Sequence, residues 1–250
     1  MKKLFAPCKN FIDVTLLFNK KDAFLAILVS FILFLYLWGI WGRLPIRLLS
    51  EDSHFIFRFP IVLSYTLLFS GLVFGLVKAR GMSIASLGFT KNNIFKSIAV
   101  AAVVFIIQYI YIIAMQPGSI VFRLERNQDL SLVTQIALTF WAVVTTSSFI
   151  EELVFRGFIG PRLYGAFKRK WLSVLLTGLL FATAHGYSGI EVYGRGFFDF
   201  TFSNVLTNAP VYYILMHVIL HWLHAKYNNI WEPIMLHFFI NLSSNFITFA

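Results

Sequence analysis

Long apolar segments recur along this chain with little between them, at residues 23–41, 60–77, 94–115, 131 to about 158, 171–185, 205–225 and 231–249. Most approach the ~20 residues that a helix needs to cross the hydrocarbon of a bilayer, and the fifth is short unless it continues past His185. Of the 250 residues, 58% are hydrophobic and 13% charged, so a soluble domain of this size could not cover its apolar surface. The expected fold class is therefore all-α, a polytopic transmembrane bundle of about seven or eight helices.

The connections carry turn-forming and charged residues: Gly42-Arg43-Leu44-Pro45, residues 78–93, Gln116-Pro117-Gly118, Lys168-Arg169-Lys170, the glycine-rich 186–196 and Asn228-Asn229. Lys and Arg concentrate in alternate connections, before residue 22, in 78–91 and in 156–170. By the positive-inside rule residues 1–22 are a cytoplasmic amino-terminal segment, and seven spans put the carboxyl terminus outside. The expected location is the cell (inner) membrane. The formal net charge of +10 lies mostly in these flanking runs, which reads as topology and excludes a nucleic-acid partner. A single cysteine, Cys8, leaves no intrachain disulfide framework or cysteine metal cluster. No apolar core precedes it, so the first membrane helix is expected to be an uncleaved anchor. Gly71 and Gly75 fit close helix packing.

Polar residues inside such segments call for a reason, because each unpaired ionisable group there costs several kcal/mol. Glu151 and Glu152 directly follow an apolar stretch, in the run Glu151-Glu152-Leu153-Val154-Phe155-Arg156. On a helix Glu152 and Arg156 are four apart in the favourable order for an ion pair, and Glu151 points about 100° away, free to face a cavity. An interfacial capping pair is the structural alternative. Downstream, Phe181 and His185 share a helix face, as do His237 and Asn241. With Arg169 at the apex of a hairpin, Glu151 and His185 lie about 27 Å and about 24 Å from the turn, at similar depth. Each histidine taken singly also reads as a hydrogen-bonded packing residue. Taken together, a carboxylate beside an imidazole can take a proton from water, while a second imidazole and an amide donate to an oxyanion. No Gly-x-Ser-x-Gly or His-Glu-x-x-His sequence occurs, so serine acyl-enzyme and ordinary zincin chemistry have no support.

The series EELVFR, FATAH and HFFIN, in this order in successive apolar segments, resembles the E-E-x-x-x-R, F-x-x-x-H and H-x-x-x-N motifs of the CPBP family. That family comprises the type II CAAX prenyl endopeptidases and the Abi-type, bacteriocin-processing intramembrane proteases. The similarity spans roughly residues 131–244. It implies amino-terminal membrane helices over 23–130 and catalytic ones over 131–250. It implies that Glu151 and His185 activate water, that His237 and Asn241 bind the oxyanion, and that Glu152, Arg156 and Phe181 support them. The substrate it implies is a hydrophobic or membrane-associated peptide. It leaves zinc open as a cofactor, since the family has been described as metal-dependent, although its motifs supply no ordinary zinc set.

His217, His221 and His224 fall at i, i+4 and i+7, a spacing able to present three imidazoles on one face as a weak metal-site candidate, against a packing alternative. Glu232, between Trp231 and Pro233, reads as a membrane-interface residue. Two other functions compete with the endopeptidase. A bacteriocin-immunity or peptide-binding membrane protein would keep the scaffold without needing Glu151, His185, His237 and Asn241 together. A cation transporter would depend on the histidine row instead.

Overall fold

The computed structural model describes residues 9–37, 54–90, 94–115, 120–122, 131–186 and 208–249. Cys8 and most of the connections at 42–45, 116–118 and 186–196 lie outside them. The described chain is helical: α1 (Lys9–Leu16), α2 (Lys20–Tyr36), α3 (His54–Ala79), α4 (Ile94–Met115), α5 (Leu132–Ala142), α6 (Gly160–Phe167), α7 (Lys170–Gly186), α8 (Asn208–Tyr227) and α9 (Trp231–Phe246). A 3-10 turn, Ile84–Leu87, follows α3, and two π-helical segments, Val143–Ile150 and Leu153–Ile159, join α5 to α6.

Two departures from the all-helical expectation follow from local chemistry. The last apolar segment is helical only to Phe246, and Ile247–Phe249 forms a strand, β2, antiparallel to β1 (Ile120–Phe122). Ile247, Thr248, Ile120 and Val121 are β-branched, which favours the extended backbone. The fourth segment is not one uniform α-helix. The Thr145 hydroxyl donates to the Trp141 carbonyl at 2.8 Å, a back-bond that bends helices and accompanies the wider turn here. The second segment, read from residue 60, is helical from His54.

Helix α2 starts with a reciprocal cap. Asn19 Oδ1 accepts from the Lys21 amide at 2.8 Å, and Asp22 Oδ2 accepts from the Asn19 amide at 3.0 Å. Buried Asp22 also takes both Arg80 Nε (3.0 Å) and Nη2 (3.2 Å), which ties the start of α2 to the end of α3. Higher up, Tyr36 packs on Tyr65 and Phe69 and bonds Ser64 at 2.7 Å. The second π segment runs through the centre with Leu153, Val154, Phe155, Phe158 and Ile159 all buried. A Cβ at Gly157 would come to 3.1 Å from the Leu87 carbonyl, so glycine there lets the 3-10 turn sit directly on the segment. The turn between α6 and α7 falls where the charged run 168–170 predicts, with Lys168 left-handed at φ 53°. Helix α7 then runs along α8, and α4 along α9. Asn229 caps α9 by accepting from the Trp231 amide, and its amide donates to Ser97, which donates to Glu232 at 2.5 Å. Glu232 is thus an internal fastener between α4 and α9, not only the interface marker expected.

The distribution of polarity runs inside out. Glu152, Arg156, Arg162, His217, His221, His224, Glu232 and His237 are buried, while Phe24, Ile27, Leu28, Phe31 and Leu35 form an exposed stripe along α2 and Val103, Ile106, Ile107 and Ile110 another along α4. Among the described residues, no helix is long and apolar enough to cross a membrane.

Candidate functional site

On a regular α-helix Glu151 and Glu152 would diverge by about 100°. Here they sit between two π segments, and both carboxylates reach the same imidazole. Glu152 Oε1 lies 2.7 Å from His237 Nδ1, and Glu151 Oε2 lies 3.8 Å from His237 Nε2. Arg156 Nη1 donates to the same Glu152 oxygen at 3.0 Å, so the i,i+4 pair read from the sequence is present. Glu152 is therefore shared between Arg156 and His237, and the second link was not anticipated. Nδ1 of His237 is thus committed to Glu152, and Nε2 is the ring nitrogen on the Glu151 side.

His185 meets Glu151 from α7, with Nε2 3.2 Å from Oε2. This is ion-pair range, although the N–H direction is not aligned as a hydrogen bond. Hairpin depth matching thus places the two residues against one another. The Nδ1 of His185 lies 2.9 Å from the Phe181 carbonyl. A carbonyl only accepts, so Nδ1 carries a hydrogen and Nε2 either holds a second proton or accepts one from Glu151. The two groups face one another within ion-pair range. Both members are partly open, with side chains 18% and 20% exposed, whereas Glu152, Arg156 and His237 are sealed. The opening is therefore at Glu151 and His185.

Phe181 holds the cluster together. Its ring lies 4.3 Å from His185 and 6.2 Å from His237, and the Arg156 guanidinium sits 4.1 Å above it. On the other face of His185, Tyr213 stacks at 4.3 Å with a 30° tilt. Sequence reasoning missed Tyr213, although it precedes His217 by one helical turn and so continues the α8 histidine row. Asn241, half-buried, lies one turn beyond His237 on the same side of α9.

The histidine row itself stands behind Phe181. His217, His221 and His224 are buried, and the His217 ring lies 6.0 Å from Phe181 and 5.9 Å from His221. Among the described residues, no group of three or more His, Cys, Asp or Glu is placed to hold a metal ion. The row's donors are spread along two turns of one helix, so these residues do not fit zinc.

Neither the comparison with curated proteins nor that with solved structures gave a match. Glu151, Glu152, Arg156, Phe181, His185, His237 and Asn241 all fall within residues 133–243, the segment that matches the family model described as Type II CAAX prenyl endopeptidase Rce1-like, in agreement with the family that the three motifs resemble.

Proposed function

We propose that this chain is an intramembrane endopeptidase that hydrolyses a peptide bond of a hydrophobic or membrane-associated peptide. The observation that carries the reading is the contact of Glu151 Oε2 with His185 Nε2 at 3.2 Å, at the open end of an otherwise sealed polar cluster. In this reading the pair takes a proton from water as its oxygen attacks the scissile carbonyl carbon. The oxyanion that forms is met by Asn241 and by His237 Nε2, which donates when the ring is doubly protonated between its two carboxylates. Proton transfer from the His185–Glu151 pair to the amide nitrogen accompanies C–N cleavage and leaves a carboxylate and an amine. Glu152 and Arg156 hold His237 in register.

The bilayer setting is supported by the exposed apolar stripes on α2 and α4 and by the burial of the charged groups. The basic flanks favour a cytoplasmic amino terminus in a cell (inner) membrane. In this arrangement residues 1–22 lead into the first helices, 23–130 form the amino-terminal part and 131–250 the catalytic part. The test is cleavage of hydrophobic peptides, prenylated and unprenylated, by purified protein in lipid vesicles, with products identified by mass. Cleavage by the wild type and none by Glu151→Gln is expected. Equal product from both would remove the proposal.

A further inference from the structure

Among the described residues, fourteen buried side-chain nitrogen or oxygen atoms have no hydrogen-bonding partner within the protein. Nine of them form one string: Glu152 Oε2, Arg156 Nε and Nη2, and both ring nitrogens of His217, His221 and His224. The Arg156 guanidinium lies 4.1 Å from the Phe181 ring and the His217 ring 6.0 Å from that same ring, so the string leads from Glu152, past Phe181, into the histidine row. Each unsatisfied buried group costs about 1–3 kcal/mol, so nine would cost on the order of 9–27 kcal/mol. A folded domain has only about 5–15 kcal/mol to spend. Buried polar groups of this kind are met by internal water, each molecule making about three hydrogen bonds.

The row is built into the packing. Each ring faces a glycine from a different part of the fold. A Cβ at Gly178 would come to 3.2 Å from His217 Cδ2, one at Gly160 to 3.7 Å from His221 Nδ1, and one at Gly88 would overlap His224 Nε2. The His217 and His221 rings lie 5.9 Å apart between centroids, tilted by 32°. At the far end Phe11 of α1 packs edge-on against His221 and His224.

We infer that His217, His221 and His224, continued by Arg156, line a file of internal water that supplies the hydrolytic site from the α1 side of the bundle. The inference deepens the endopeptidase reading and rests on it for the supply role. Hydrolysis consumes one water per turnover. A peptide seated over Glu151 and His185 covers the open end of the cluster, so replacement water needs a second route. The row provides one lined with donors and acceptors.

The test is X-ray hydroxyl-radical footprinting of the full chain in detergent, in water enriched in oxygen-18, since radicals formed on resident water oxidise the side chains beside it. His217, His221 and His224 should be oxidised at least tenfold faster than Phe69 and Leu33, which are equally buried. His221→Phe should lower labelling at His217 severalfold and kcat about tenfold with KM unchanged, whereas His221→Gln, which keeps a donor and an acceptor, should preserve both. If His221→Phe does not fold, His224→Phe makes the same comparison. Labelling no faster than Phe69 would overturn the water file. Labelling with an unchanged kcat in folded His221→Phe would overturn the supply role. Footprinting needs no substrate, so a wild type that labels but cleaves nothing would defeat the endopeptidase reading and leave the water file standing.

Discussion

Two acid–arginine clusters in this molecule look alike on paper and behave differently. At the start of α2, Asp22 is saturated: one oxygen takes Arg80 Nε, and the other takes Arg80 Nη2 and the Asn19 amide. Burial by itself would raise the Asp22 carboxyl. The Arg80 and Asn19 hydrogen bonds, with the charges of Arg80 and Arg162, overcome it and hold the carboxyl below the usual carboxylate range. In the centre, Glu152 is likewise paired with an arginine, but the neighbouring Glu151 has no arginine hydrogen bond and instead faces an imidazole at the open edge. A saturated carboxylate fastens helices, and one left half-committed can exchange a proton. In the proposed mechanism the two carboxylates differ in spare valence, not in burial.

The comparison breaks first at Glu151. Glu151→Gln should lower kcat by about 10²–10⁴-fold, the range of a lost general base, with folded yield nearly unchanged. Peptide turnover measured beside size-exclusion yield decides it, and retained turnover would return Glu151 to the structural class. Glu152→Gln should lower both activity and folded yield. Breaking a buried pair by removing one partner costs about 3–5 kcal/mol, and here Arg156 and His237 both lose a partner. Thermal unfolding in detergent reads this, and an undiminished Tm would contradict the division between the two glutamates.

Asp22→Asn should leave turnover intact and destabilise by about 1–2 kcal/mol, through the weakened cap and the lost charged bond. The pH dependence has a definite sign. A carboxyl lowered on folding contributes stability that is present above its unfolded value of about 3.9 and is lost as pH falls through the lower folded value. The gap in Tm between wild type and Asp22→Asn should therefore be constant near neutrality and close in acid below about pH 4. A gap that persists there would show that the charge contributes little. The smallest effect is expected from replacing His217, His221 and His224 together with Gln: activity within a few-fold of wild type, and bound zinc that does not scale with turnover. Activity lost on chelation and restored by zinc would reopen the metal question.

The helices and several of the side-chain contacts were legible in the chain because both depend on short-range pattern. Apolar runs placed α3, α4, α7, α8 and α9, and four-residue spacing placed Arg156 under Glu152 and Phe181 under His185. Hairpin length alone placed His185 opposite Glu151. What spacing on an ideal helix cannot carry is a change in the helix itself. Two π segments flank Glu151 and Glu152, and both carboxylates reach His237, which ideal-helix spacing does not foretell. The stacking of Tyr213 on His185 and the matching of each α8 histidine to a glycine depend on how α6, α7 and the 3-10 turn settle against α8. Periodicity along one helix determines which residues share a face. Which atoms meet across that face is set by the distance and rotation of its neighbours, and those belong to the packed molecule alone.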